Sequence, residues 1–328
     1  MMLPKNKMSK NIKLFLSCLM LSMCFWWGIN ILEKNIEDLF YVIQLEKHPP
    51  LYANISSFSL SEERLDKYEE TNELDISAKS AISIFVDSQG KNNILFKKRE
   101  NEKLPIASLT KLMTALVVSD IYQKSDQIEI SKQAIEQEGN GVALKIGEKL
   151  SINELLYIML IESSNDAAYA LATPDFETQR MSEKDFANLM NLYAYYYVGL
   201  NPETTHFINS TGLDSEDPLE DINYSSAKDL VKLVQYLLKN KPEIINILSQ
   251  KENKDFHYTL ENTNELLGKV DGIIGGKTGY TDEAGGCLVI ILKGPSKNNY
   301  FINIILGSND RFGEMEQLID WSKQALNF

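Results

Sequence analysis

Strand-like segments stand at the two ends of the patterned part of this chain and helix signals fill the interval between them, which leaves few folds open. Ala81-Ile-Ser-Ile-Phe-Val-Asp87 is rich in β-branched and aromatic residues, Ser88 to Asn93 carries turn residues, and Ile94-Leu-Phe-Lys97 reads as the hairpin partner. Strand character returns in Cys287-Leu-Val-Ile-Ile-Leu292 and Tyr300-Phe-Ile-Asn-Ile-Ile-Leu306. Between them Leu109, Leu112, Met113, Leu116 and Val117 recur at helix spacing, and Ser151-Ile-Asn-Glu154 is a capping box opening Ile152 to Ile161. Ser182-Glu-Lys-Asp185 and Ser226-Ala-Lys-Asp229 start two more helices, ending near Gly199 and Asn240, and a closing amphipathic helix runs from about Gly313 to Leu326. The pattern predicts an α+β fold: an antiparallel sheet formed from both ends of the domain, with a mostly helical middle.

The folded domain is expected from about Ile76 to the end of the chain. Ahead of it, Lys5, Lys7, Lys10 and Lys13 precede an uncharged run from Leu14 to Leu32, long enough to span a bilayer as helix. The basic flank predicts residues 1–13 inside and everything after Glu33 outside. No small-x-small cleavage site follows the run, so 14–32 is expected to be an uncleaved signal anchor. The acidic stretch with Glu62, Glu63, Asp66, Glu69, Glu70 and Glu73 then makes 33–75 a tether.

Composition removes several classes of function. A chain of 328 residues with 44% hydrophobic residues is globular rather than disordered, and a net charge of −13 would repel a phosphate backbone, so no nucleic acid is expected as partner. Cys18 and Cys24 lie in the apolar run, which leaves Cys287 without a disulfide partner. His48, His206 and His257 are scattered without ligand spacing, so no metal is implied, and no organic cofactor either.

Three short motifs occur in order: Ser108-Leu-Thr-Lys111, Ser163-Ser-Asn165 and Lys277-Thr-Gly279. Context selects these copies over Ser88-Gln-Gly-Lys91, which lies in a hairpin turn, and Ser225-Ser-Ala-Lys228, whose lysine sits in an exposed first helical turn. Ser108 and Lys111 fall three apart at the start of a helix, on one face, so the amine reaches the hydroxyl. Ser163 to Asn165 breaks two helical segments and can aim polar groups into a cleft. Lys277 sits among Gly272, Gly275, Gly276, Gly279, Gly285 and Gly286, just before the strand at Cys287, where a bound backbone could approach closely. A serine hydroxyl needs a base, no histidine here has a triad-like setting, and Lys111 is therefore the candidate. It can act only if burial or another cation such as Lys277 lowers its pKa.

With these motifs, and with the longer runs Ala107-Ser-Leu-Thr-Lys-Leu-Met-Thr114, Ser163-Ser-Asn-Asp-Ala-Ala168, Ser210-Thr-Gly-Leu-Asp214 and Gly276 to Gly285, the chain from Ile76 to Leu326 resembles the low-molecular-mass penicillin-binding proteins that act as serine-type D-alanyl-D-alanine carboxypeptidases, of the β-lactamase/transpeptidase-like superfamily. The resemblance implies that Ser108 attacks the carbonyl between the terminal D-alanines of a peptidoglycan stem peptide, and that water hydrolyses the acyl-enzyme. It implies that Ser163 relays a proton to the departing D-alanine and that Asn165 holds substrate backbone and Lys111. Lys277 and Thr278 resemble the recognition pair for the terminal carboxylate, followed by Gly279 on a glycine-rich edge, and the backbone N–H groups of Ser108 and Tyr280 the oxyanion site. β-Lactams are implied as covalent inhibitors.

Two departures stand out: Ser164 where glycine or aspartate is commoner, and a chain that stops soon after its final helix, so attachment is expected through the N-terminal anchor. The rivals are a D,D-endopeptidase using the same residues, a class A β-lactamase, for which no E-x-x-L-N-like segment follows Asn165, and a non-catalytic wall-binding module. Tyr193, Tyr195, Tyr196 and Tyr197 are expected to be packing residues rather than a sugar platform.

Overall fold

A computed structural model describes residues 74–139, 141–176, 179–215 and 222–326. The expected anchor at 14–32 and all but the last two residues of the tether lie outside them, and among the described residues no helix is long and apolar enough to cross a membrane.

The apolar run near residue 81 forms β1 (Ser80–Val86), and its hairpin partner forms β2 (Asn92–Lys98). Three strands from the other end of the domain, β3 (Ile273–Thr281), β4 (Gly285–Lys293) and β5 (Tyr300–Ser308), complete a five-stranded antiparallel sheet in the order β3-β4-β5-β1-β2. The first strand thus lies beside the last, in a register running from Ser80 opposite Leu306 to Val86 opposite Tyr300. β1 reads as a near-continuous apolar run because both of its faces are covered. Alternate residues divide between two cores: Ile82 and Ile84 join the helical middle of the chain, and Ala81 joins Met315, Leu318 and Ile319 of the closing helix.

Helix boundaries follow the caps. The main helices are α1 (Lys111–Ile121), α2 (Ile152–Ile161), α3 (Asn165–Ala172), α4 (Glu183–Leu192), α5 (Ala227–Asn240), α6 (Pro242–Leu248) and α7 (Arg311–Ala325). The capping box at Ser151 and Glu154 is closed in both directions, and the Ser182 and Ser226 hydroxyls accept from the backbone N–H groups of Asp185 and Asp229. The segment after α4 does end at Gly199, in the left-handed region at φ 75°, but Tyr193–Val198 widen into a π turn. The tyrosines there mostly pack: the rings of Tyr193 and Tyr197 stack at 4.6 Å, and the Tyr195 hydroxyl donates to the Thr205 carbonyl at 3.0 Å. Tyr196 is exposed.

The largest difference from the sequence pattern is β3. The glycine-rich stretch before Cys287 is itself a nine-residue edge strand, so Lys277, Thr278 and Gly279 stand within the sheet rather than ahead of it. Glycine lowers strand propensity, which hides the strand, yet a Cβ on Gly276 would lie 2.7 Å from the Asn264 side chain and one on Gly279 would lie 3.0 Å from the Ile106 carbonyl oxygen.

Candidate active site

The turn ahead of α1 brings Ser108 to a fixed place. Ala107–Thr110 form a 3₁₀ turn that runs into α1, so Ser108 and Lys111 share one face, one turn apart. Ala107 takes φ 47°, a conformation that costs an alanine about 1–3 kcal/mol and persists where its surroundings fix it. Those surroundings are two glycines. A Cβ on Gly212, itself at φ 85°, would fall 2.1 Å from the Ala107 carbonyl oxygen, and a Cβ on Gly279 would fall 3.1 Å from the Ser108 nitrogen. Gly212→Ala should therefore cost about 2 kcal/mol or more through the forced φ and the overlap together, read as a lowered midpoint in thermal or denaturant unfolding.

Lys111 is fully buried. Its Nζ lies 2.9 Å from Ser108 Oγ, 2.6 Å from Asn165 Oδ1 and 2.5 Å from the Thr211 carbonyl oxygen. The Asn165 amide is oriented by its own nitrogen, which donates to the Glu138 carbonyl, so Oδ1 faces the lysine as an acceptor. Two of the three partners of Nζ are therefore acceptors without a proton to give. A neutral amine has two N–H bonds and one lone pair, and if the N–H bonds go to Asn165 and Thr211 the lone pair points at Ser108. Burial, and then the charge of Lys277, lower the Lys111 pKa well below its ordinary value.

The loop carrying Thr211 is held from several sides. Glu183 Oε1, at the start of α4, accepts from Ser210 N at 3.1 Å and Ser210 Oγ at 2.7 Å, and Thr114 Oγ1 on α1 donates to the Ser210 carbonyl at 2.7 Å. Asn209 Oδ1 accepts from Gly212 N at 2.8 Å, and buried Asn223 donates to the Asn209 carbonyl at 3.1 Å. The run Ser210 to Asp214 was legible as a motif, but its contribution to the lysine is a backbone carbonyl, which no residue type announces.

Ser163 lies between α2 and α3 with φ 60°, a strained setting for a serine. Its hydroxyl faces across to β3, where Lys277 Nζ donates to Ser163 Oγ at 2.7 Å and to the Thr278 carbonyl at 3.1 Å. Ser164 has a local reason to be serine: its hydroxyl caps α3 by accepting from Ala167 N at 3.2 Å. Lys277 is not a lone cation, since Arg311 donates to the Gly279 carbonyl at 2.8 Å. Burial, and then Arg311, bring the Lys277 pKa down to about 7. Thr278 is buried and its hydroxyl lies 2.6 Å from that of Thr263, while the Tyr280 side chain is exposed beside them. Arg311 and Thr263 were missed in the sequence because neither belongs to a motif, and each meets β3 from a distant element.

Direct hydrogen bonds thus join Ser108, Lys111 and Asn165 in one group and Ser163 and Lys277 in another, with Ser163 and Asn165 in one turn and Thr278 and Gly279 on the strand of Lys277. A hydroxyl, an amine able to take its proton, a second hydroxyl and a second amine form the parts of an acyl-transfer site.

A profile of the S11 peptidase family, described as D-alanyl-D-alanine carboxypeptidase, matches residues 67–309. The chain is 34% identical over 265 residues to the D-alanyl-D-alanine carboxypeptidase DacF of Bacillus subtilis, covering 77% of this chain and 64% of that protein, so it spans just under two thirds of that relative. It is 36% identical over 215 residues to the D-alanyl-D-alanine endopeptidase of Haemophilus influenzae, covering 63% of this chain and 68% of that one. Among solved structures, cefotaxime-bound penicillin-binding protein D2 of Listeria monocytogenes superimposes with a TM-score of 0.62 at 29% identity, over 77% of this chain and 99% of that one. A fold shared with penicillin-binding proteins and a family match across the three motifs place this chain in the S11 peptidase family, the D-alanyl-D-alanine carboxypeptidases.

Proposed function

We propose that the chain is a serine-type D-Ala-D-Ala carboxypeptidase that removes the terminal D-alanine from peptidoglycan stem pentapeptides and is acylated by β-lactams. The observation that carries this reading is the surroundings of Lys111 Nζ: two acceptors, one hydroxyl, and full burial. In the forward step Ser108 Oγ bonds to the carbonyl carbon of the penultimate residue as its proton passes to Lys111. The oxyanion sits against the N–H groups of Ser108 and Tyr280, and the C–N bond breaks as the proton taken up by Lys111 passes through Ser163 to the departing amine, which leaves Lys111 neutral. Water then attacks the ester and gives a proton to Lys111, which returns it to Ser108 Oγ as the ester C–O bond breaks. Asn165 supports the substrate backbone and orients Lys111, while Lys277 and Thr278 receive the terminal carboxylate on the edge formed with Gly279. The chain acts on the outer side of the cell membrane, held there by an N-terminal anchor at residues 14–32. An endopeptidase acting on cross-links would use the same groups and is the second reading, favoured by the name of the Haemophilus relative.

Mass spectrometry of muropeptides incubated with the full-length chain decides between them. Loss of one alanine from monomeric pentapeptides is expected; cleavage of dimers alone would establish the endopeptidase, and turnover of neither would leave a wall-binding module.

The two lysines also fix the expected pH response. Below its lowered pKa Lys111 is protonated and gives Ser108 no base, so kcat/KM should rise with pH through that value. Above about 7 Lys277 loses its charge in the free enzyme, carboxylate capture weakens, and kcat/KM should fall. A bound carboxylate favours charged Lys277, so the alkaline limb of kcat should lie at higher pH than that of kcat/KM. The two limbs belong to the coupled pair. A kcat/KM still rising above pH 9 would overturn the assignment of Lys277.

A further inference from the structure

The hydroxyls of Thr263 and Thr278 lie 2.6 Å apart, and one proton is shared between them. The direction of that bond decides what Thr278 offers to the cleft. If Thr278 donates to Thr263, it presents lone pairs, which repel an anion. If Thr263 donates, the Thr278 proton is free for the ligand. Thr278 is buried, so its outward valence meets what enters the cleft rather than bulk water.

Thr263 is held well enough to serve this purpose. It follows a short ladder in which Leu260 pairs with Asn253, and its backbone N–H donates to the Ile161 carbonyl at 3.2 Å, at the end of α2. Two residues earlier Glu261 N donates to Glu162 Oε1 at 2.5 Å, and the next side chain, Asn264, packs on Gly276 of β3. The segment therefore bridges the turn carrying Ser163 and the strand carrying Lys277 and places one hydroxyl against Thr278.

We propose that Thr263 is a positioning residue that makes this site selective for an anionic C-terminus: it donates to Thr278 and so turns the Thr278 proton toward a carboxylate beside Lys277. The inference rests on the reading of Lys277 and Thr278 as the carboxylate subsite. A charged acceptor gains more from an aimed donor than a neutral one does, so the residue should discriminate between an acid and its ester.

The test compares acylation of the full-length chain by benzylpenicillin and by benzylpenicillin methyl ester, followed by intact mass. Thr263→Val should slow acylation by the free acid about three- to tenfold, the worth of one hydrogen bond, and change the ester rate less than twofold. Thr263→Ser should stay within twofold of the unaltered chain with both. Thr263→Ala, which introduces no misplaced methyl group, should repeat the selectivity loss if the valine variant folds poorly. Equal slowing of both compounds, or no slowing of either, overturns the inference and leaves Thr263 a strut. An unaltered chain that takes up neither compound at Ser108 overturns the reading of the site itself, and the inference with it.

Discussion

Ser108→Ala should leave no covalent adduct with benzylpenicillin and should lower pentapeptide turnover by about 10⁴–10⁶-fold, to the background of the assay. The change removes one oxygen from within a turn whose backbone packs closely on Gly212 and Gly279 and is not held by the serine side chain. The unfolding midpoint should therefore stay close to that of the unaltered chain. Lys111 keeps its bonds to Asn165 and Thr211, so the rest of the site stays assembled. Intact mass after incubation with the drug gives the readout, and an adduct surviving the change would remove Ser108 as the nucleophile.

Lys111→Met should have the next largest effect, a fall in acylation rate of about 10³–10⁴-fold, since the serine keeps its place but loses the group that takes its proton. Its effect on stability separates two contributions of opposite sign. The lysine is fully buried, and its depressed pKa reflects the cost of keeping it from water. Methionine removes that cost and keeps most of the volume, but leaves the Thr211 carbonyl and Asn165 Oδ1 without their donor, at about 1–3 kcal/mol for each unsatisfied group. Because the terms oppose, the unfolding midpoint should move by far less than the rate does. A variant that acylates at the original rate would show that another group is the base.

Much of this was legible before any coordinates. Serine caps fixed the starts of α2, α4 and α5, since a hydroxyl followed three residues later by an acid has few other local uses. Ser108, Lys111, Ser163, Asn165 and Lys277 could be picked out because each belongs to a motif whose order and local context agree. What sequence spacing did not reveal falls into two physical kinds. β3 was hidden because its glycines suit close approach, of Asn264 on one side and of the Ala107 turn on the other, rather than strand propensity. The groups that meet the motif residues from outside, the Thr211 carbonyl, Arg311 and Thr263, do so through the backbone or from elements far along the chain, and so leave no short-range pattern.

The place of β1 between β2 and β5 has a consequence for biogenesis. Ser80 waits for Leu306, so a chain emerging from its N-terminal end carries an open strand edge through the synthesis of nearly the whole domain, and its sheet closes among the last events of folding. Lys277 stands on the far edge of that sheet, and its dehydration, like that of Lys111, depends on the finished packing. Until then both amines are wet and ordinarily basic, and Ser108 is an alcohol like any other. If the site is acylated as proposed, reactivity toward a β-lactam should be absent from the nascent chain, and labelling a growing population with a fluorescent penicillin should count completed molecules alone.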